Sequence, residues 1–60
     1  MKRSKLIKIL VAKGCRLKRH GKKHDIFVNN RNGRKAPIPR HNDISKSLCM
    51  LIKKQLGIEN

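Results

Sequence analysis

His24 is the side chain of this chain whose type and surroundings best suit proton transfer near neutral pH. It follows Gly21, Lys22 and Lys23, where a turn gives way to a strand-like segment. The positive charge around it favours a neutral imidazole, which is the form that a general base needs. The two lysines could stabilise negative charge developing on a phosphorus atom. Since RNA carries its own nucleophile, the 2′-hydroxyl, such a histidine could promote strand cleavage without a metal.

Two other histidines provide competing interpretations. His20 and His41 have the same ambiguity as His24, and by residue chemistry alone an ordinary surface histidine is the simpler interpretation of each. Histidines and cysteines could also be combined into a metal site, but their spacings match no standard zinc arrangement, and the positive charge would repel a cation. We therefore expect no metal and no other cofactor. The five candidate ligands are Cys15, His20, His24, His41 and Cys49.

The charge balance excludes several kinds of site and predicts the class of partner. The 60 residues include 17 Lys or Arg and 3 Asp or Glu, a formal net charge of +14. So few carboxylates argue against a two-metal nuclease or a paired-carboxylate glycosidase. Nucleic acid is the leading partner, followed by an anionic membrane surface and an acidic protein. With one Phe and no Tyr or Trp, backbone and shape contacts with RNA are favoured over base stacking.

The length predicts one domain, residues 1–60, near the lower size limit for independent folding. Hydrophobic residues make up 37% of the chain and recur with helical and strand periods, which favours a folded domain over a basic disordered tail. No segment approaches the ~20 apolar residues of a membrane span. Lys8 and Lys13 argue against a signal peptide in the apolar segment near the start. We expect a cytoplasmic protein with two reduced cysteines and no membrane partner.

Amphipathic helices are predicted at both ends of the chain. Ser4 is the expected N-cap of the first helix, and Gly14 fits the left-handed position that ends it. The second helix is expected to begin near Asp43 or Ser45 and to end at Gly57. Apolar residues recur at spacings of three and four in both segments. The first stripe contains Leu6, Ile7, Ile9, Leu10 and Val11, and the second contains Ile44, Leu48, Leu51, Ile52 and Leu56.

Between the helices the period changes to two, which predicts strands at residues 15–20, 24–28 and 34–38. In the first, Cys15 and Leu17 should point one way, and Arg16, Lys18 and His20 the other. The prolines place the third strand at an edge or at its own end. The predicted fold is α+β, in the order α-β-β-β-α. A three-stranded antiparallel sheet with both helices on one face would bury both apolar stripes together.

Basic residues concentrate in this central region. Ten Lys or Arg fall between Lys13 and Arg40, against one acid, Asp25. Because they alternate with apolar residues, we expect the sheet face or a hairpin turn to hold phosphates, with binding that weakens steeply as salt rises. The residues expected to contact phosphate are Lys18, Arg19, Lys22, Lys23 and Arg40.

Short motifs along nearly the whole chain resemble those of one protein family. They are KGC at residues 13–15, KRHG at 18–21, GKKHDIF at 21–27, PRH at 39–41 and IKKQLGI at 52–58. In their order and spacing they resemble the HicA family, the mRNA-interferase toxins of bacterial toxin–antitoxin systems. The glycine-x-x-histidine motif that opens a strand is the most specific of them.

The resemblance implies a double-stranded-RNA-binding-domain-like fold and a metal-independent endoribonuclease that cleaves mRNA. It implies one catalytic histidine, His24, with Gly21 shaping the turn before it, and a HicB antitoxin that covers the active face. His41 is expected to be structural or to lie beside a phosphate. Two lysines occupy the turn where the family often has a small polar residue after the glycine. A non-catalytic RNA- or DNA-binding module is the alternative, and a subunit engaging an acidic protein is a third.

Overall fold

The computed structural model of the chain describes residues 1–58. Its three strands form an antiparallel sheet in the order β1-β2-β3, with a helix before and a helix after them. This arrangement confirms the predicted α-β-β-β-α order and the α+β, double-stranded-RNA-binding-domain-like fold. The elements are α1 (Arg3–Ala12), β1 (Cys15–His20), β2 (His24–Asn29), β3 (Lys35–Pro39) and α2 (Lys46–Gln55).

Both helices pack on one face of the sheet, which we call the helix face. The side chains buried between the helices and the sheet form one apolar cluster. Fully burying one Leu, Ile or Phe side chain contributes about 1.5–3 kcal/mol, so this cluster provides most of the apolar burial in a small domain. The opposite face, which presents His24, Ile26 and Val28 of β2, is the open face. The buried cluster contains Leu6, Leu10, Cys15, Phe27, Ala36, Ile38, Ile44, Cys49, Ile52, Leu56 and Ile58.

The start of α1 differs from the prediction. Ser4 lies inside the helix, Lys2 occupies the N-cap position, and no side chain caps this end. The backbone N–H of Arg3 instead donates to the carbonyl of Asn42, 2.8 Å away. A carbonyl from the loop before α2 thus satisfies the first backbone donor of a helix that lacks a side-chain cap. Gly14 has a φ of +92° just after the helix, as predicted.

The start of α2 is confirmed, but its apolar stripe needs correction. Ser45 is the N-cap, and its hydroxyl accepts a hydrogen bond from the backbone N–H of Leu48 at 3.2 Å. Cys49 and Ile52 are the helix residues that face the core, whereas Leu51 is 48% exposed. Leu51 lies 100° around the helix from Ile52, which turns it away from the sheet. Val11 of α1 is also exposed, because it lies 100° around the helix from the buried Leu10.

A β-bulge in β1 changes which residues share a face. The register with β2 shifts between Leu17 and Arg19, so Lys18 is an extra residue in the strand. After the bulge Arg19 lies opposite Ile26, on the open face, and His20 lies opposite Asp25, on the helix side. The prediction that His20 shares a face with the preceding basic residues is therefore wrong. A simple alternation cannot reveal an inserted residue.

Candidate functional site

The turn between β1 and β2 is held unusually close to the strand that follows it. The backbone N–H of Gly21 donates to the carbonyl of His24 at 2.7 Å. A Cβ atom on Gly21 would lie 2.7 Å from the same oxygen, closer than real Cβ atoms approach. Any larger residue here would push the backbone of His24 aside, which gives glycine a physical role in this turn.

His24 is the first residue of β2 and lies at one end of the open face. Its side chain is exposed, and Pro39 of β3 lies opposite it in the strand register. Within residues 1–58 the His24 ring makes no side-chain hydrogen bond. Its position therefore depends on the backbone of His24.

A shallow depression surrounds His24 on this end of the sheet. It brings together three of the five side chains expected to contact phosphate, because they lie on the strand and turn that precede β2. Ile26 and Pro37 form its apolar part. An imidazole among three cationic side chains can accept a proton beside a bound anion. The depression is lined by Arg19, Gly21, Lys22, Lys23, His24, Ile26 and Pro37.

The residue after His24 points to the helix side, where its buried carboxylate is the centre of a partly exposed ionic cluster. Asp25 Oδ2 accepts a hydrogen bond from Arg3 Nη2 at 2.6 Å. Its other oxygen, Oδ1, lies 2.8 Å from His20 Nδ1 and 3.1 Å from Arg40 Nε. The hydrogen bond with His20 lowers the pKa of Asp25, and the Arg40 contact acts in the same direction against the effect of burial. The carboxylate therefore stays charged.

Arg40 links this cluster to the turn before His24. Its Nη2 donates to the carbonyl of Gly21 at 2.5 Å, and its Nη1 donates to the carbonyl of Lys22 at 3.3 Å. The structure thus gives the guanidinium protein partners in Asp25 and the turn. The phosphate contact expected for Arg40 stays a prediction, while its observed contacts hold the turn in place.

Arg3 holds the other neighbour of His24. Its Nε donates to the carbonyl of Pro39 at 2.8 Å, and Pro39 lies opposite His24 in the register. The cluster around Asp25 therefore fixes the backbone before, after and beside His24. The sequence analysis did not predict the cluster around Asp25. The sequence feature that could have indicated it is that Asp25 is the single acid in the basic central region.

The remaining predicted residues lie away from the depression. Lys18, in the bulge, meets Lys35 on the open face. His41 is exposed in the loop after β3. Cys15 and Cys49 are buried free thiols, and burial raises the pKa of Cys15. Among residues 1–58, no three His, Cys, Asp or Glu side chains are grouped so that they could hold a metal ion.

Within residues 1–58, neither helix has the length and apolar character needed to cross a bilayer.

In comparisons with known proteins, no match was found among curated proteins or among solved structures. A family model described as the HicA toxin of bacterial toxin–antitoxin systems matches residues 3–58, a span that includes all five elements and the depression around His24.

Proposed function

The chain belongs to the HicA family of bacterial toxin–antitoxin toxins, and on that premise we propose that it is an endoribonuclease that cleaves mRNA without a metal ion. The proposal names His24 as the catalytic residue. The observation that carries it is the position of His24, an exposed imidazole in a depression lined by Arg19, Lys22 and Lys23. Family membership also implies an antitoxin partner.

The proposed reaction begins with proton transfer to the His24 ring. A ring nitrogen takes the proton of an RNA 2′-hydroxyl as general base. The 2′-oxygen then forms a bond to the adjacent phosphorus, and the bond from phosphorus to the 5′-oxygen breaks. A proton from Lys22, Lys23 or a water molecule goes to the leaving 5′-oxygen. No metal is needed because the nucleophile belongs to the substrate.

Cationic side chains would stabilise the charge that develops on the phosphorane. Arg19, Lys22 and Lys23 line the same depression as His24, and donors already in place at a developing charge are a large contribution to catalysis. The contacts of Arg40 with the turn before His24 and of Arg3 with Pro39, opposite His24, would hold the backbone that carries the ring in a fixed relation to these charges. The two arginines would act as positioning residues.

We propose that the antitoxin is of the HicB type and covers this depression. The support is electrostatic. The depression is cationic, none of the acids within residues 1–58 lines it, and a chain of net charge +14 attracts an acidic partner surface. Such a surface would occupy the positions that the RNA phosphates need. Toxin inhibition would then follow from competition for one site.

A non-catalytic RNA- or DNA-binding module is the second candidate. It is favoured by the lining of the depression, to which the described part of the chain, residues 1–58, contributes one histidine and no carboxylate. In this case the chain would bind nucleic acid in a salt-dependent way and leave it intact.

The test compares RNA cleavage, in buffer containing EDTA, by the chain and by His24→Ala. We expect the substitution to lower the cleavage rate by roughly 10²-fold or more, as for loss of a general base, and to abolish growth inhibition on expression. His41→Ala, which removes an exposed histidine outside the depression, is the matched control and should cleave normally.

Circular dichroism checks that both variants are folded. Full cleavage by folded His24→Ala would refute the role of His24. Salt-dependent binding by the unaltered chain, with no cleavage, would identify the binding module instead.

A further inference from the structure

The open face continues beyond the depression toward the other end of β2. There Val28 lies between Arg16 of β1 and Lys35 of β3 in the strand register. Directly opposed residues of neighbouring strands project from one face, so two cations flank the half-buried Val28. Val28 is four positions along β2 from His24, a distance of about 13 Å at ~3.3 Å per residue.

A second shallow depression at this end of the sheet is lined by Arg16, Leu17, Lys18, Val28 and Asn30. Lys35 is outside this lining but lies opposite Val28 in the register. This depression is separate from the one around His24, with which it shares no lining residue. The bulge in β1 places Lys18 here as the extra residue of its strand. In the part of the chain that the structure describes, the open face thus has a cationic depression toward each end.

Lys18 and Lys35 form an unbalanced pair of like charges on this face. A hydrogen bond from Lys35, which only a neutral Lys18 amine could accept, lowers the pKa of Lys18, and the repulsion between the two positive charges acts in the same direction. Like charges held close together on one face repel each other and oppose folding. The two acids among residues 1–58 lie elsewhere, with Asp25 on the helix side and Asp43 paired with Lys2 in a β-bridge. An anion bound between the lysines would relieve this repulsion.

We propose that an RNA strand lies along the open face and that one of its phosphates binds between Lys18 and Lys35, away from the bond cleaved at His24. This inference rests on the proposed function and adds a second contact to it. The phosphate oxygens would accept hydrogen bonds from both ammonium groups. Val28 and Ile26 offer an apolar floor with no aromatic ring on which a base could stack. Binding at this point would depend little on base identity, because a phosphate contact carries no sequence information.

At the end of the open face that carries Lys18 and Lys35, an RNA strand fits better than a protein does. Protein interfaces concentrate their affinity in buried aromatic and Arg anchors and the pockets that receive them, whereas this surface is open and repeats cations along the strand direction. Phosphates repeat along a strand in the same manner. An acidic protein on the same lysines is the competing outcome of the test.

The test measures RNA binding in the His24→Ala background, in which the substrate stays intact. Lys18→Gln and Lys35→Gln are each compared with Lys8→Gln, which removes the same charge from the exposed side of α1. Binding of a single-stranded oligonucleotide is recorded over a range of salt. Loss of one phosphate contact should reduce the slope of log affinity against log salt by about 0.7, whereas Lys8→Gln should leave it unchanged.

Loss of folding cannot mimic this result. Removing either lysine ends the repulsion within the pair, so Lys18→Gln and Lys35→Gln should melt at or above the temperature of their His24→Ala parent. With His24 restored, both variants should show a raised KM for RNA and an unchanged kcat.

Salt slopes equal to that of Lys8→Gln would overturn the inference. If the unaltered chain still cleaves RNA through His24, the proposed function stands. If the chain cleaves nothing, the proposed function fails, and the binding measurements still decide the inference. Unchanged RNA binding with weakened antitoxin binding would assign the lysine pair to a protein partner and also overturn the inference.

Discussion

At the scale of the residue, His24 and Asp25 are neighbours in β2 whose side chains lie on opposite faces of the sheet and have different roles. His24 faces solvent on the open face, and Asp25 is buried on the helix side, where it binds Arg3, His20 and Arg40. The strand alternation makes this division possible, because one backbone connects the reacting ring to its support. A change at Asp25 should therefore reach His24 through the backbone.

The pH dependence of stability should reveal the Asp25 cluster. Because the folded pKa of Asp25 is lowered, its charge stabilises the fold at pH values above its unfolded pKa, and this stabilisation is lost as pH falls through the folded pKa. Unfolding by urea, measured from pH 7 down to pH 3, should show the chain losing stability below about pH 4. Asp25→Asn should be less stable at pH 7 and should lose less over the same range. Parallel curves would contradict this account.

At the scale of the element, the loop that follows β3 fixes the β1–β2 turn, which lies at the same end of the sheet. Arg40 follows β3, and its guanidinium holds the carbonyls of Gly21 and Lys22 in the β1–β2 turn. A planar guanidinium can bind several fixed acceptors at once, whereas an ammonium group acts as a point charge. The turn therefore depends on the shape of this side chain as well as on its charge.

Arg40→Lys separates the positioning role of Arg40 from a phosphate contact. If Arg40 positions the turn, the substitution should lower kcat for RNA cleavage several-fold, with little change in the salt dependence of binding. If it contacts phosphate, Arg40→Ala should raise KM and reduce the salt slope by about 0.7, while Arg40→Lys largely restores both. Steady-state kinetics at two salt concentrations distinguish the two results.

The sequence predicts the elements better than it predicts the contacts between them. The change of hydrophobic period locates the helices and strands, and the depression is predictable because Lys22, Lys23 and His24 are adjacent in the chain. Asp25 and its arginines are 15 and 22 residues apart, so no local pattern connects them. The bulge at Lys18 cannot be predicted from the β1 sequence alone, because a bulge is defined by how β1 pairs with its partner strand, β2.

At the scale of the whole molecule, the charge acts over distances comparable to the protein itself. The longest extents of the structure are 26 Å, shorter than the Debye length of ~30 Å at 0.01 M salt. Under those conditions every cation repels every other across the domain. A net charge of +14 on 60 residues therefore opposes the compact state in the absence of a partner.

Salt should thus stabilise the free chain while it weakens RNA binding. Raising the ionic strength from 0.01 M to 0.15 M shortens the Debye length to ~8 Å. We expect the melting temperature to rise by several degrees, since ~1 kcal/mol corresponds to roughly 4–8 °C in a domain of this size. Scanning calorimetry on the free chain and on its RNA complex provides the measurement. A flat or falling Tm for the free chain would show that repulsion does not limit its stability.

The bulge at Lys18 also bears on how the length of this domain can vary. Cys15 and His20 keep their partners Asn29 and Asp25 on either side of the extra residue. A relative that lacked this one residue could therefore pair both ends of β1 in the same way, with the core and the Asp25 cluster intact. Position 18 is thus where an insertion or deletion would alter the open face and spare His24, so the grip on a substrate could evolve separately from the chemistry performed on it.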